Sequence, residues 1–294
     1  MKRIRHHRQQ AVLNLPTLQL EGSLFLPDQL EKAAQGRAQD QSDADYGIPK
    51  GTKLKDEYSR AFQIACAQWQ HFAAQSERAD VDDHALTQSY VAELLRDALG
   101  YAAAQSTATV QAGAFAYPVS FMAGPATASV PVLVAPHTLA LDEADPRFAV
   151  AGSGSRKKSA FQAMQELLNA SPDHIWGIVS NGRQLRLLRD AASLTRPAYL
   201  ECDLADLLGG QRYAEFANIW RLLHASRAPH TGGACIWERW REAGKAEGTR
   251  VRDGLRHGVE QALLTLGEGF LQHPANDALR AALRGGSDEP HDAA

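Results

Sequence analysis

Hydrophobic positions along the chain follow two periods, helical at the ends and extended in the middle. Tyr58, Phe62, Ala65, Trp69 and Phe72 recur at steps of three and four, the spacing of one helix face. Asp56 and Glu57 fall in the first turn of that helix, where carboxylates suit the helix dipole. A second stripe of Leu86, Tyr90, Val91, Leu94, Leu95 and Leu99 predicts a helix from about Asp83 to Leu99, stopped by Gly100. The pattern then turns extended. Val110 to Met122 and Val130 to Ala135 are rich in β-branched and aromatic residues and bounded by Gly and Pro. Leu141 to Ser155 reads as a loop, and Ser159 to Asn169 as a short helix burying Phe161, Met164, Leu167 and Leu168.

The sharpest local signal is the pair of extended runs around Ser180-Asn181-Gly182, from Ile175 to Arg189. Asn-Gly is the preferred turn dipeptide where both central residues take positive φ, so this segment is expected to be a hairpin. Asp203 to Ala225 reads as one helix, with Tyr213, Phe216, Trp220 and Leu223 on one side. A long helix follows from about Trp237 to Leu271, with Val251, Leu255, Val259, Leu263, Leu266 and Phe270 in register. Residues 1–22 read as an arm able to pair or pack but without a long periodic segment, and Ser42 to Lys55 is a loop by composition. From Gly285 onward the residues are small and polar, and disorder is expected. The order predicts an α/β protein of the α+β kind, a mixed sheet flanked by helices and followed by a helical C-terminal segment.

Charge narrows the partners. There are 31 basic and 34 acidic side chains for a net charge of -3, which argues against a general polyanion binder but leaves room for a local basic face. Cys66, Cys202 and Cys235 lie far apart without metal-ligand spacing and read as reduced thiols, the usage of a cytoplasmic protein. The basic start Met1 to Arg8 is not followed by an apolar stretch, since Asn14, Pro16 and Glu21 interrupt it, so neither a leader nor a membrane anchor is expected. The tryptophans Trp176, Trp220 and Trp237 are expected to pack rather than to stack on bases. His6, His7, His84, His224 and His273 are expected at the surface.

Catalytic signatures are fragmentary. Gly152-Ser153-Gly154 faintly resembles a loop that approaches S-adenosylmethionine, but the next extended run ends in Ser180-Asn181 where a ribose-binding carboxylate is required. The Asn/Asp-Pro-Pro-Tyr/Phe tetrapeptide of amino-methylating enzymes does not occur, nor does HExxH or a Gly-x-Ser-x-Gly elbow, so no zinc and no serine nucleophile are expected. A metal-dependent nuclease needs alternating carboxylates and a lysine on one strand. The strand in that position, Val130 to Ala135, has none, and the alternative is a rearranged Mg site from Glu93, Asp142 and Glu143. The stronger candidates are basic. Arg156, Lys157 and Lys158 precede the Ser159 helix, whose first-turn N–H groups favour phosphate, and Arg183, Arg186 and Arg189 lie on or beside the hairpin. Arg186 and Arg189 are three apart and cannot share one side of a regular strand.

Several stretches together resemble a known family. Asp45-Tyr46-Gly47-Ile48-Pro49-Lys50-Gly51, Glu93 to Tyr101, Gln165 to Asn169, Trp176 to Arg196, Glu238-Arg239-Trp240 and Gly248-Thr249-Arg250 are similar to the N-terminal region of large bacterial adenine-specific, Type IIG-like restriction–modification methylases, including phage-defence relatives of the DISARM kind. The resemblance spans about Asp45 to Arg280. It implies a degenerate restriction-endonuclease-like domain at 56–200, behind an arm and loop at 1–55 and ahead of a helical connector at 201–284 and a tail at 285–294. It also implies DNA and an adenine-methylase polypeptide or other defence-system subunits as partners. S-adenosylmethionine would belong to that methylase and Mg to the nuclease alternative, with no cofactor in this chain. The methylases continue for many hundreds of residues with motifs these 294 residues lack, so fold and context are implied rather than catalysis. Two other readings stand beside this one: the Mg-dependent nuclease, and a protein-docking module acting through the helix from Trp237 to Leu271.

Overall fold

A computed structural model describes residues 15–101, 105–106, 109–124, 128–154, 156–190, 198–230 and 235–285. The chain opens with strand β1 (Leu18–Glu21) and helices α1 (Pro27–Ala34), α2 (Leu54–Ser76) and α3 (Asp83–Glu93). Strands β2 (Gln105–Ser106), β3 (Thr109–Ala112), β4 (Phe115–Pro118), β5 (Phe121–Ala123) and β6 (Val130–Val134) follow. Next come the very short strands β7 (Ala144–Asp145) and β8 (Lys158–Ser159), then helix α4 (Ala160–Ala170). Strands β9 (Trp176–Ser180), β10 (Gln184–Arg189) and β11 (Tyr199–Asp203) lead to helices α5 (Leu204–Gly209), α6 (Tyr213–Leu223), α7 (Ile236–Gln272) and α8 (Asp277–Gly285).

Seven strands form one mixed sheet in the order β1-β11-β10-β9-β6-β5-β2. Neighbours are antiparallel except β6 and β9, which run parallel with Val132 opposite Ile178. A parallel pair needs a crossover, supplied here by the stretch containing β7, β8 and α4. Successive strand residues point to opposite faces and so enter different cores. Val132, Val134, Ile178, Leu185, Leu187 and Leu200 join a large core with α1, α2, α3, α5, α6 and the first turns of α7. Leu133, Val179 and Leu188 join a smaller core with α4, Leu141, Phe148 and the β3–β4 hairpin. Covering both faces explains why Val130–Val134 and Trp176–Ser180 are buried throughout rather than alternating. The tryptophans Trp176, Trp220 and Trp237 are buried as expected, with Trp176 and Trp237 at a centroid distance of 5.0 Å.

Helix starts follow local chemistry. Asp82 accepts from the His84 and Ala85 N–H groups at 2.9 Å each, and Ser159 and Gln162 cap one another at the start of α4. The predicted helix to Leu99 is α-helical only to Glu93; Leu94–Ala98 form a π turn before Gly100 reverses the chain at φ 74°. A side chain at Gly100 would press within 2.6 Å of His224 Nε2. The single helix expected over 203–225 is two, because Gly209, Gly210 and Gln211 (φ 51°) break it.

The hairpin forms, but with a different turn. Gly182 alone of its two expected central residues has positive φ (76°), and Asn181 instead acts through its side chain, with Oδ1 accepting from the Arg183 and Gln184 N–H groups at 3.1 and 2.8 Å. Gly182 and Arg183 thus occupy the centre, as in a turn with glycine at the first central position. The Phe72 ring lies where a Gly182 Cβ would stand, at 2.8 Å.

The chain divides into compact units Met1–Gly244 and Lys245–Ala294. In the first unit the N-terminal arm supplies edge strand β1, paired with β11, and Thr17 donates through N and Oγ1 to Glu215 of α6. The second unit, described to Gly285, holds the rest of α7, a 3-10 turn at Pro274–Asn276 and α8. The expected tail beyond Gly285 and the 191–196 part of the family resemblance lie outside the described residues. Among the described residues no helix is long and apolar enough to cross a membrane.

Candidate functional site

The loop after β6 fastens several distant segments. Thr138 Oγ1 donates to Asp83 at the start of α3 (3.3 Å), and the Asn181 amide of the β9–β10 turn donates to Leu139 O (3.0 Å). The Phe161 N–H in the first turn of α4 donates to Leu141 O (3.1 Å). Asp142 is held by Arg186 of β10, and β7 pairs with β8, setting Asp145 opposite Lys158. These links gather around one loop the segments that carry Arg156, Lys157, Lys158, Arg183 and Arg186.

Arg186 is the most tightly defined of them. It faces the α4 side of the sheet, directly opposite Glu201 in the β10–β11 register. Its Nη1 and Nη2 donate to the two Asp142 oxygens at 2.8 Å each, Nε donates to Glu201, and Gln184 Nε2 supports Glu201 at 2.9 Å. The guanidinium stacks over the Tyr199 ring at 4.3 Å and lies 5.4 Å from the Phe161 centroid. Burial disfavours its charge, but the hydrogen bonds it donates to Asp142 and Glu201 more than offset this and leave its pKa above the ordinary arginine value. Both sides of the Arg186 fork are thus occupied by carboxylates, Asp142 on the Nη1 and Nη2 side and Glu201 on the Nε side.

Arg189 is ion-paired as well. It points to the α7 side, where Glu238 holds its Nε at 2.6 Å and Asp190 pairs with Nη1; Glu238 also accepts from the Trp176 indole at 2.8 Å. Burial opposes the Arg189 charge, yet these partners raise its pKa. Lys158 is engaged by Glu166 at 2.7 Å. Arg156, Lys157 and Arg183 are exposed. The first turn of α4 is less open than its sequence implies, since the Phe161 and Gln162 N–H groups go to Leu141 O and Ser159 Oγ.

The nuclease residues are not gathered. Asp83, at one end of α3, touches the loop, whereas Glu93 is exposed at the other end of that helix, about 15 Å along its axis. Asp142 is bound to Arg186, and Glu143 is exposed. Among the described residues no group of three His, Cys, Asp or Glu side chains is disposed to hold a metal. The glycine stretch at 152–154 follows a 3-10 turn, Pro146–Phe148, rather than a strand. His224, expected at the surface, instead packs against Trp220 with ring centroids 4.3 Å apart and the planes tilted by 36°, and burial, aided by the Arg227 charge, lowers its pKa to about 4.

Comparison with protein-family models, curated proteins and solved structures yields no match. Sequence reasoning missed Tyr199, Glu201 and Phe161 as the partners of Arg186. A signal existed in the alternation of Tyr199-Leu200-Glu201-Cys202, where buried Leu200 and Cys202 serve one core and Tyr199 and Glu201 face the arginine.

Proposed function

We propose that the chain is a non-catalytic scaffold and DNA-contacting component of a restriction–modification or phage-defence adenine methylase system in the cytoplasm. The observation that carries this reading is the assembly of exposed Arg156, Lys157 and Arg183 on segments tied to one loop, beside a strand of purely apolar residues where phosphodiester chemistry needs ions. The succession of α3, an antiparallel meander, α4 and a parallel strand supports the finer description of the first unit as a degenerate restriction-endonuclease-like core. The scaffold role draws on the apolar side chains exposed along Val251–Phe270 as a docking face for an adenine-methylase polypeptide, which would bring S-adenosylmethionine chemistry with it.

The test is duplex binding across a salt series. Replacing Arg156, Lys157 and Arg183 by Gln is expected to weaken binding regardless of sequence. It should also reduce the slope of log K against log salt by roughly one for each phosphate no longer neutralised. Identical affinity and slope in the triple variant would falsify the DNA-contacting half of the reading. In a host pull-down, Leu263→Lys should abolish recovery of the methylase polypeptide if the helix docks it, and unaltered recovery removes the scaffold half.

A further inference from the structure

We propose that the Arg186 guanidinium is a preformed seat for a phosphate-class oxyanion, and that the Asp142 carboxylate occupies it as an internal stand-in. The proposal rests on the DNA-contacting reading for the source of that phosphate, a nucleic-acid phosphodiester.

Geometry supports an exchangeable occupant. Two parallel bonds of 2.8 Å from Nη1 and Nη2 to the two Asp142 oxygens form the fork that a phosphate reproduces with two of its own oxygens. The two carboxylates on this arginine are unequal. Glu201 is 8% exposed, lies opposite Arg186 in the sheet and is also held by Gln184, so it is part of the frame. Asp142 is 63% exposed and comes from a loop. Glu201 alone neutralises the guanidinium; the fork nevertheless carries a second anion, and the protein supplies it from the solvent side. The frame survives removal of that anion, because Glu201, the Tyr199 face at 4.3 Å and Phe161 still fix the guanidinium plane.

The surroundings fit a polyanion. The loop bearing Asp142 pairs through β7 and β8 with the stretch that begins at Arg156 and Lys157, so a phosphate chain drawn to those side chains arrives beside Asp142. Displacing the carboxylate would free the loop tip while the β7–β8 pairing and the Phe161–Leu141 bond keep its base in place.

The experiment compares the full native chain with Asp142→Asn, using inorganic phosphate and a short fluorescein-labelled DNA duplex as probes in buffers of equal ionic strength. Asp142→Asn should bind phosphate about tenfold more tightly than the native chain, by removing the competitor without altering size. Adding Arg186→Gln should erase the gain, and Asp142→Glu should show none. A folded Asp142→Asn without a gain, or a gain that survives Arg186→Gln, overturns the seat. Should Asp142→Asn not fold, the native chain serves: phosphate should shift the Arg186 Nε–H NMR signal and leave that of Arg189 in place, and a stationary Arg186 signal overturns the proposal. The two readings fail separately. A phosphate gain without a duplex gain keeps the seat and removes DNA as its source. Loss of duplex binding in the Arg156, Lys157 and Arg183 variant without a phosphate gain in Asp142→Asn keeps DNA contact and removes the seat.

Discussion

Helix α7 carries apolar residues at three-and-four spacing on both sides of Gly244, and the two stretches have opposite environments. Ile236, Trp237 and Trp240 are buried in the large core, and the two indole N–H groups donate to Leu222 O and Gln39 O at 2.8 and 2.9 Å. A Cβ at Gly244 would stand 3.3 Å from Gln29, so α1 and α7 approach closely there. Past that point Val251, Leu255, Val259, Leu263, Leu266 and Phe270 are exposed, Leu266 at 70%. Gly254, Gly258, Gly267 and Gly269 have open space in front of them. Periodicity therefore specifies a helix in both stretches, while burial depends on whether a facing layer offers matching shape and carbonyl acceptors for the polar edges of large rings.

The strongest way to break this comparison is to truncate one side chain from each stretch. Trp240→Ala should lower unfolding free energy by about 3–5 kcal/mol, whereas Leu266→Ala should change it by no more than about 0.5 kcal/mol. Equal losses in denaturant titrations would show that the exposed stretch is packed in solution.

A pH series sharpens the contrast, because all five tryptophans, Trp69, Trp176, Trp220, Trp237 and Trp240, belong to the first unit. Burial, with help from the Arg227 charge, lowers the His224 pKa to about 4, below its ordinary 6.5. As pH falls, the unfolded chain takes up that proton first, so the stability from neutral His224 is complete above about 6.5 and is lost progressively toward 4. Melting followed by tryptophan fluorescence should drop by about 5 °C between pH 7 and 4.5, and His224→Gln should flatten that drop. A drop of the same size in the variant assigns it to other groups. The smallest expected effect is local. Ser159→Ala removes the N-cap of α4 and should cost about 1 kcal/mol, read as a shifted denaturant midpoint with unchanged slope.

Segments whose partners are near in sequence were legible from the residues alone. The α2 stripe, the α4 segment and the two strands around Asn181 carry their own periodicity and turn chemistry, so their types follow without knowledge of the rest. Even there the detail escaped: Asn181 has two uses, as a backbone position and as a side-chain acceptor, and the dipeptide does not say which prevails. β1, α1 and β11 are short and acquire their identity from pairing with one another or with distant helices. The candidate site was legible as a set of charges but not as an arrangement. Strand alternation already separates Arg186 from Arg189 in sequence, but that Arg183 is exposed while Arg186 and Arg189 are clamped depends on Glu201, Asp142 and Glu238, which come from other segments.

The bond from Thr17 to Glu215 bridges 198 residues, and the strand next to Thr17 closes an edge of the sheet against β11. During synthesis at roughly 5–20 residues per second, that first strand waits about 10–40 s before its partners leave the ribosome. Through that interval its backbone donors and acceptors lack their β11 partners and can pair with the strand of another chain, so the edge is protected from self-association only once the distant strand has been made.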